Sequence, residues 1–128
     1  MENGLRVVDT DLAIDFLRDR EPGVSRVQGW LERDLIRFSA VTAFELRLGT
    51  DFTKRAERID RLLAARTLPL DHPAALIAGE VYVRLRGLGL DIGVNDSLLA
   101  GTCLRFDLPL ATRNTRHFTR VEGLRLVE

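Results

Sequence analysis

Three widely separated carboxylates, and a fourth beside the first, stand where they could do chemistry together. Asp9 and Asp11 follow a short apolar run, Glu45 lies in a helical pattern, and Asp96 begins another helical pattern. A carboxylate at the end of a buried strand is aimed at the sheet edge where α/β domains form their sites. Each has a simpler explanation as well, since Asp caps helices and Thr42 with Glu45 has the capping-box spacing.

Asn114 adds an amide after the last strongly apolar segment, where alone it would be a turn residue. Ionised carboxylates that converge above one sheet repel each other, and some would take up protons. A hard cation such as Mg²⁺, which prefers oxygen ligands and keeps several waters, removes that cost. It also orients a phosphate, polarises it and lowers the pKa of a bound water. We therefore expect Asp9, Glu45, Asp96 and Asn114 to form a magnesium site that acts on phosphodiesters.

Short strands that alternate with helices must position these residues. The apolar patterns predict strands at 5–8, 35–38, 67–70 and 109–112, with a possible fifth at 124–127. They predict helices at 11–20, 24–31, 42–48, 52–65, 72–87 and 95–106. This alternation is typical of an α/β domain with a mainly parallel sheet of four or five strands flanked by helices. A length of 128 residues fits one such domain, spanning 1–128.

The charge balance excludes recognition of nucleic acid by a bulk positive field, because 19 basic and 19 acidic side chains cancel. An anionic substrate must therefore be held locally. Arg113, Arg116 and Arg120 flank Asn114, and arginine makes bidentate contacts to phosphate. A solvated surface run explains these three arginines equally well.

The sequence shows neither a secretory segment nor a transmembrane run, so we expect a cytoplasmic protein that does not act at a membrane. Cys103 is the single cysteine and lies in an apolar helical pattern. It is expected to be an inert core residue, and no disulfide can form within the chain.

Four segments together resemble the PIN-domain family, and within it the VapC toxins. They occur in family order along almost the whole chain: Val7-Val8-Asp9-Thr10-Asp11, Thr42-Ala-Phe-Glu45-Leu, Ile92-Gly93-Val94-Asn95-Asp96-Ser97-Leu98-Leu99-Ala100, and Leu110-Ala-Thr112-Arg113-Asn114-Thr115-Arg116-His117-Phe118. Each segment is a weak signal alone, whereas the ordered set is fairly specific.

The resemblance implies a PIN-like α/β sandwich and RNA cleavage that depends on Mg²⁺ or Mn²⁺. It also implies a homodimer that a cognate, VapB-like antitoxin holds inactive in a higher assembly. Asp9, Glu45 and Asp96 match the family's three acidic metal-site positions, and Asn114 matches a polar position that is acidic in some members.

His117 departs from the family pattern, because many relatives carry Asp or Glu at this position. Two interpretations follow. In the first, His117 lies at the rim and donates to a phosphate or to the antitoxin. In the second, its imidazole binds the metal directly, which would favour softer ions such as Mn²⁺ or Zn²⁺ over Mg²⁺. We favour the rim, since three carboxylates and Asn114 suffice for one hydrated ion. The role of Asp11 stays open.

Two other classes fit part of the pattern. Asp9 and Asp11 after an apolar strand resemble the nucleophile and the acid/base of a haloacid-dehalogenase-type phosphatase. That family, like receiver domains, also needs a lysine near the phosphate, and Lys54, the only lysine, lies in a helical pattern away from any strand end. A PIN-like module that only binds a partner is the non-enzymatic alternative, and metal-dependent cleavage of RNA would separate it from a nuclease.

Overall fold

A four-stranded parallel sheet forms the centre of the molecule. The computed structural model describes residues 4–127. The strands are β1 (Arg6–Val8), β2 (Ile36–Ser39), β3 (Thr67–Leu68) and β4 (Leu110–Ala111), and their order in the sheet is β3-β2-β1-β4. The chain adds β2 and β3 on one side of β1 and β4 on the other. A switch point therefore lies between β1 and β4, where sheets of this kind open a crevice at their carboxyl edge.

Helices cover both faces of this sheet. In the described part of the chain they are α1 (Thr10–Leu17), α2 (Gly23–Glu32), α3 (Ala40–Leu48), α4 (Phe52–Leu63), α5 (His72–Gly87), α6 (Val94–Phe106) and α7 (Thr115–Phe118). This arrangement confirms the predicted α/β class. Within residues 4–127, no helix has the length and apolar character needed to cross a bilayer.

The two central valines of β1 face opposite cores. Val8 packs into a cluster with side chains of α1, α2 and α4, among them Leu12, Val27 and Leu62. Val7 packs into a second cluster with side chains of α5, α6 and α7, among them Leu85, Leu99, Cys103 and Phe118. A strand buried on both faces carries apolar residues at successive positions, as Val7 and Val8 do here.

Local backbone chemistry moves several boundaries from their predicted places. Helix α1 ends at Leu17 rather than at residue 20, and Asp19 adopts a left-handed conformation with φ of 55°. Helix α3 begins at Ala40 because Ser39, not Thr42, is its N-cap. The possible fifth strand is reduced to a single parallel bridge between Leu110 and Leu126. Residues 115–118 form the short helix α7, which the apolar pattern did not predict.

The close crossing of α5 and α6 leaves no space for a side chain at Gly101. An added Cβ would lie 2.6 Å from the Cβ of Ala78 and 2.7 Å from its backbone nitrogen. Because overpacking forces backbone to shift, Gly101→Ala is expected to lower the free energy of unfolding by about 1–3 kcal/mol. Gly79→Ala on α5 is the matched control: its added Cβ meets nothing within 4 Å. That control should gain about 0.5–1 kcal/mol.

Urea unfolding of the two variants, measured against the unsubstituted protein, checks this prediction. Equal stability of Gly101→Ala and Gly79→Ala would contradict the close crossing.

Candidate active site

Asp9 and Thr112 meet at the switch point of the sheet. Asp9 directly follows β1 and caps α1, with Oδ1 accepting a hydrogen bond from the backbone N–H of Thr10 at 2.7 Å. Thr112 directly follows β4, and its hydroxyl donates to Oδ2 of Asp9 at 2.6 Å. Asp9 is 7% exposed. Asp9 therefore caps α1 and also lies at the switch point where the candidate site is predicted.

The titration of Asp9 reflects this crowded position. Burial raises its pKa to about 6, the hydrogen bond from Thr112 opposes that rise, and the negative charges of Asp11 and Asp96 add to it. Asp9 and Asp96, two of the three predicted metal-site carboxylates, thus act on each other electrostatically, and Asp11 adds its charge to theirs. Burial makes the ionised form of Asp9 unfavourable, and a nearby cation would stabilise that form.

Glu45 points to the same edge and takes no part in capping α3. Ser39 is the N-cap, and its Oγ accepts from the backbone N–H of Thr42 at 3.1 Å, so the capping-box explanation of Glu45 is wrong. Instead, Oε1 of Glu45 accepts from the Thr10 hydroxyl at 2.6 Å, and Oε2 accepts from Nδ2 of Asn95 at 3.1 Å. These bonds connect Glu45 with α1 and with the first turn of α6.

Asp96, Asn114 and His117 form the other side of the cluster. Nδ1 of His117 lies 3.1 Å from Oδ2 of Asp96 and 3.0 Å from Nδ2 of Asn114. Burial raises the pKa of Asp96, His117 opposes this rise, and the charges of Glu45 and Asp11 add to it. The helix-capping explanation is not observed for Asp96, because α6 begins after Gly93 without any side-chain cap.

His117 thus lies against a predicted metal-site residue and is partly exposed, with 38% of its side chain accessible. A single ring nitrogen cannot both donate to Asp96 and accept from Asn114. The tautomer of His117 and the orientation of the Asn114 amide are therefore coupled to the protonation of Asp96. The rim role of His117 toward a phosphate or a protein partner stays a prediction.

The three predicted RNA-binding arginines differ in their surroundings. Nε of Arg113 lies 3.5 Å from Oδ2 of the buried Asp15. Nη1 of Arg120 lies 3.3 Å and 3.4 Å from the carbonyl oxygens of Leu90 and Asp91. Within residues 4–127, the exposed side chain of Arg116 makes no hydrogen bond or ion pair. The two anchored arginines have structural roles already, and Arg116 is the one whose guanidinium is uncommitted.

Sequence reasoning missed the polar groups that hold the carboxylates. Thr10, Thr112 and Asn95 each donate to a predicted site residue, and Asp15 fixes Arg113. A signal was present for two of these residues, because Thr10 and Asn95 are sequence neighbours of Asp9 and Asp96.

The carboxylate oxygens of Asp9, Glu45 and Asp96 are of the kind that a hard cation prefers. Among the described residues, no three His, Cys, Asp or Glu side chains form a group arranged to hold a metal ion. Mg²⁺ needs only one or two protein carboxylates, since it keeps most of its waters. The buried Asp9, with its pKa raised to about 6, offers such an oxygen ligand in a place where added positive charge is favourable.

The remaining candidates for chemistry lie elsewhere. A phosphatase of the haloacid-dehalogenase type requires a lysine near its nucleophilic aspartate. Lys54, the only lysine in the sequence, is exposed on α4 and does not lie at a strand end beside Asp9. Cys103 is fully buried, and burial raises the pKa of its thiol, as expected for an inert core residue.

Comparison with known proteins agrees with this geometry. A model of the PIN domain family matches residues 6–124. Ribonuclease VapC10 of Mycobacterium tuberculosis is 36% identical over 124 residues, covering 93% of this chain and 90% of the relative. Toxin FitB of Neisseria gonorrhoeae is 31% identical over 126 residues, covering 88% and 89% of the two chains.

Among solved structures, the fold is similar to DNA-bound VapBC from Salmonella typhimurium. The TM-score is 0.78 at 25% identity, and 97% of each chain is covered. The parallel sheet, the family match and these relatives agree over nearly the whole length of the described chain. The chain therefore belongs to the PIN-domain family, and within it to the VapC-type ribonuclease toxins.

Proposed function

We propose that this chain is a metal-dependent endoribonuclease and the toxin of a toxin–antitoxin pair. The observation that carries the proposal is the meeting of Asp9, Glu45, Asp96 and Asn114 with their hydrogen-bond partners at the switch point of a PIN-domain sheet. The names of the relatives support ribonuclease activity and the toxin role. Dependence on Mg²⁺ or Mn²⁺ is the part that rests on the chemistry of the carboxylates alone.

Asp9, Asp96 and Glu45 would hold the ion, which when bound would orient and polarise the scissile phosphate and activate a water. Asp9 is positioned by Thr10 and Thr112, whereas Asp96 is positioned by His117. Asn114 contacts His117 and so contributes through it. The raised pKa values of Asp9 and Asp96 mean that protons and the cation compete for the same oxygens. Metal binding should therefore weaken as the pH falls below about 6.

The partners follow from the same relatives. A VapB-like antitoxin is the expected inhibitor, since the structural neighbour is a VapBC complex. We expect a homodimer that joins the antitoxin in a larger assembly, and an RNA substrate in the cytoplasm.

Cleavage of a labelled RNA by the purified protein tests the proposal directly. Cleavage should require Mg²⁺ or Mn²⁺, stop with EDTA and return when the metal is restored. Either metal at a hundredfold excess over its dissociation constant should add about 2.7 kcal/mol to the free energy of unfolding. Metal-stimulated binding of a partner with no cleavage of any RNA would instead favour a PIN-like module that only binds.

Substrate binding should depend most cleanly on Arg116. In an Asp96→Asn background, which is expected to slow cleavage at least about a hundredfold, Arg116→Ala should weaken RNA binding without changing the melting temperature. The slope of log affinity against log salt should fall by about 0.7 for one lost phosphate contact to a single strand. Arg113→Ala should also destabilise the fold, because it leaves the buried Asp15 without its cation.

Fluorescence anisotropy with a labelled RNA at several salt concentrations measures these slopes. The matched control is Arg61→Ala on α4, an exposed arginine whose side chain pairs with the exposed Glu57. Equal salt slopes for Arg116→Ala and Arg61→Ala would leave Arg116 as an ordinary surface residue.

A further inference from the structure

Thr10 touches two of the proposed metal-site carboxylates at once. Its backbone N–H donates to Oδ1 of Asp9 at 2.7 Å, and its hydroxyl donates to Oε1 of Glu45 at 2.6 Å. Asp9 comes from the end of β1 and Glu45 from the middle of α3, 36 positions further along the chain. The single residue Thr10 therefore connects the two elements at the point where their carboxylates approach each other.

Three buried hydroxyl groups line up behind this contact. Oγ1 of Thr10 lies 2.9 Å from Oγ1 of Thr42, which lies 3.4 Å from Oγ of Ser39. Ser39 and Thr42 are fully buried, and Thr10 is 7% exposed. A hydroxyl has one proton to donate, and an ionised carboxylate only accepts.

The ionised form of Glu45 therefore sets the direction of the whole row. Thr10 must give its proton to Glu45, so it accepts from Thr42, and Thr42 in turn accepts from Ser39. Each of the three hydroxyl groups therefore donates to one acceptor, and the Thr10 hydroxyl has a fixed orientation. Hydrogen bonds aligned in this way in a buried region reinforce each other.

The second oxygen of Glu45 is held from the opposite side. Nδ2 of Asn95 donates to Oε2 at 3.1 Å, and Asn95 directly precedes Asp96 in α6. With both oxygens engaged, the glutamate cannot turn about its terminal bond without losing a donor. Glu45 is a long side chain that would otherwise be mobile, and fixing it costs conformational entropy.

We propose that Thr10 is a positioning residue that sets the separation of the Asp9 and Glu45 carboxylates, with Asn95 fixing the other oxygen of Glu45. This inference rests on the proposed function, because the pair is set for the divalent cation that RNA cleavage requires. Groups that orient metal-binding carboxylates usually affect metal affinity or activity by about 10–100-fold when they are removed.

The decisive variant is Thr10→Val, which keeps the shape and the backbone N–H to Asp9 but removes the hydroxyl. Calorimetric titration with MnCl₂, without RNA, should show affinity at least about tenfold weaker than in the unsubstituted protein. Thr10→Ser restores the hydroxyl and should restore most of the Mn²⁺ affinity. The rate of RNA cleavage at saturating Mn²⁺ is measured alongside as a separate quantity.

Thr42→Val is the matched control, since it removes an equally buried hydroxyl that does not touch Glu45. It should lose stability in urea as Thr10→Val does, but lose clearly less Mn²⁺ affinity, because Thr10 keeps the hydroxyl that donates to Glu45. If Thr10→Val does not fold, Asn95→Ala tests the positioning of Glu45 instead. Asn95 is exposed, so its replacement should not unfold the protein, and it removes the donor to the other Glu45 oxygen. That variant should bind Mn²⁺ more weakly by severalfold.

Unchanged Mn²⁺ affinity in folded Thr10→Val, or in Asn95→Ala where Thr10→Val does not fold, would overturn the inference and leave Thr10 with a structural role alone. Equal losses of affinity in Thr10→Val and Thr42→Val would overturn it as well. An unsubstituted protein that binds Mn²⁺ but cleaves no RNA would contradict the proposed function and leave the positioning role intact. A protein that cleaves RNA without binding Mn²⁺ would overturn the positioning role and leave the nuclease.

Discussion

Asp96→Asn is expected to reduce RNA cleavage by at least about a hundredfold, the loss typical when one electrostatic group acting in a transition state is removed. The reason is charge rather than shape. Asn has the size of Asp, so the contact with His117 and the start of α6 can persist. The substitution removes one of the negative charges that favour a cation beside Asp9 and Glu45. Burial already raises the pKa of Asp96, so the metal-free fold should be no less stable.

The rate of cleavage of a fluorogenic RNA at saturating Mn²⁺, with the melting temperature of the same sample, checks this expectation. Asp107→Asn at the other end of α6 is the matched control, because Asp107 is exposed and its carboxylate pairs with the exposed Arg125, away from the candidate site. Its left-handed conformation suits asparagine as well as aspartate. Full activity of Asp96→Asn would remove Asp96 from the site.

The long elements were predictable because their residues repeat with the period of the structure. Helix α5 was predicted at 72–87 and spans His72–Gly87, since His72-Pro73 marks its first turn. Strand β1 was predicted from the apolar residues Leu5, Val7 and Val8, and the burial of both valines on opposite faces explains that pattern. In both cases the local pattern and the tertiary packing favour the same structure.

The sequence-based predictions of the fold are wrong where a single contact determines the end of a helix or the pairing of a strand. Ser39 rather than Thr42 caps α3, which the sequence does not reveal, because both hydroxyl residues precede the apolar pattern. The segment 124–127 has a strand-like pattern, but only Leu126 bridges to β4. Pairing of an edge segment depends on the space left beside β4 rather than on the residues of the segment itself.

The carboxylates of the site were predictable, and the groups that hold them were not. Asp9, Glu45 and Asp96 are distinctive because charged residues follow or interrupt apolar patterns. Thr10 and Thr42 are common helix-start residues, and their contact joins positions 32 residues apart. Asp15 had the appearance of an ordinary helix residue, whereas it is buried against Arg113. Such pairs become visible only when α1 packs against its neighbours.

Asp9→Asn is expected to stabilise the metal-free protein at pH 8 and to leave its stability nearly unchanged below pH 4. The pKa of Asp9 is about 6 in the folded protein against an ordinary value of 3.8, because the carboxylate is buried. The folded state therefore binds the proton more tightly than the unfolded state does. This contribution to stability is fully present below about pH 4 and is lost as the pH rises through about 6.

The size of the effect follows from the same difference. A pKa raised from 3.8 to about 6 corresponds to about 3 kcal/mol lost by the unsubstituted protein at pH 8. Asn carries no charge at any pH, so the variant avoids this loss. Its amide oxygen can still accept from the backbone N–H of Thr10, which preserves the cap of α1.

Urea unfolding in EDTA at pH 4, 6 and 8 measures the difference between the two proteins, in which the titration of unrelated groups cancels. Asp11→Asn is the control, since Asp11 is exposed and acts on Asp9 only through its charge. It should produce a smaller gain of the same sign. With saturating Mn²⁺ the order should reverse, because the ion stabilises the ionised carboxylate of the unsubstituted protein. Parallel stability curves for the unsubstituted protein and Asp9→Asn from pH 4 to 8 would mean that Asp9 ionises without cost, and the electrostatic argument for a cation beside it would fail.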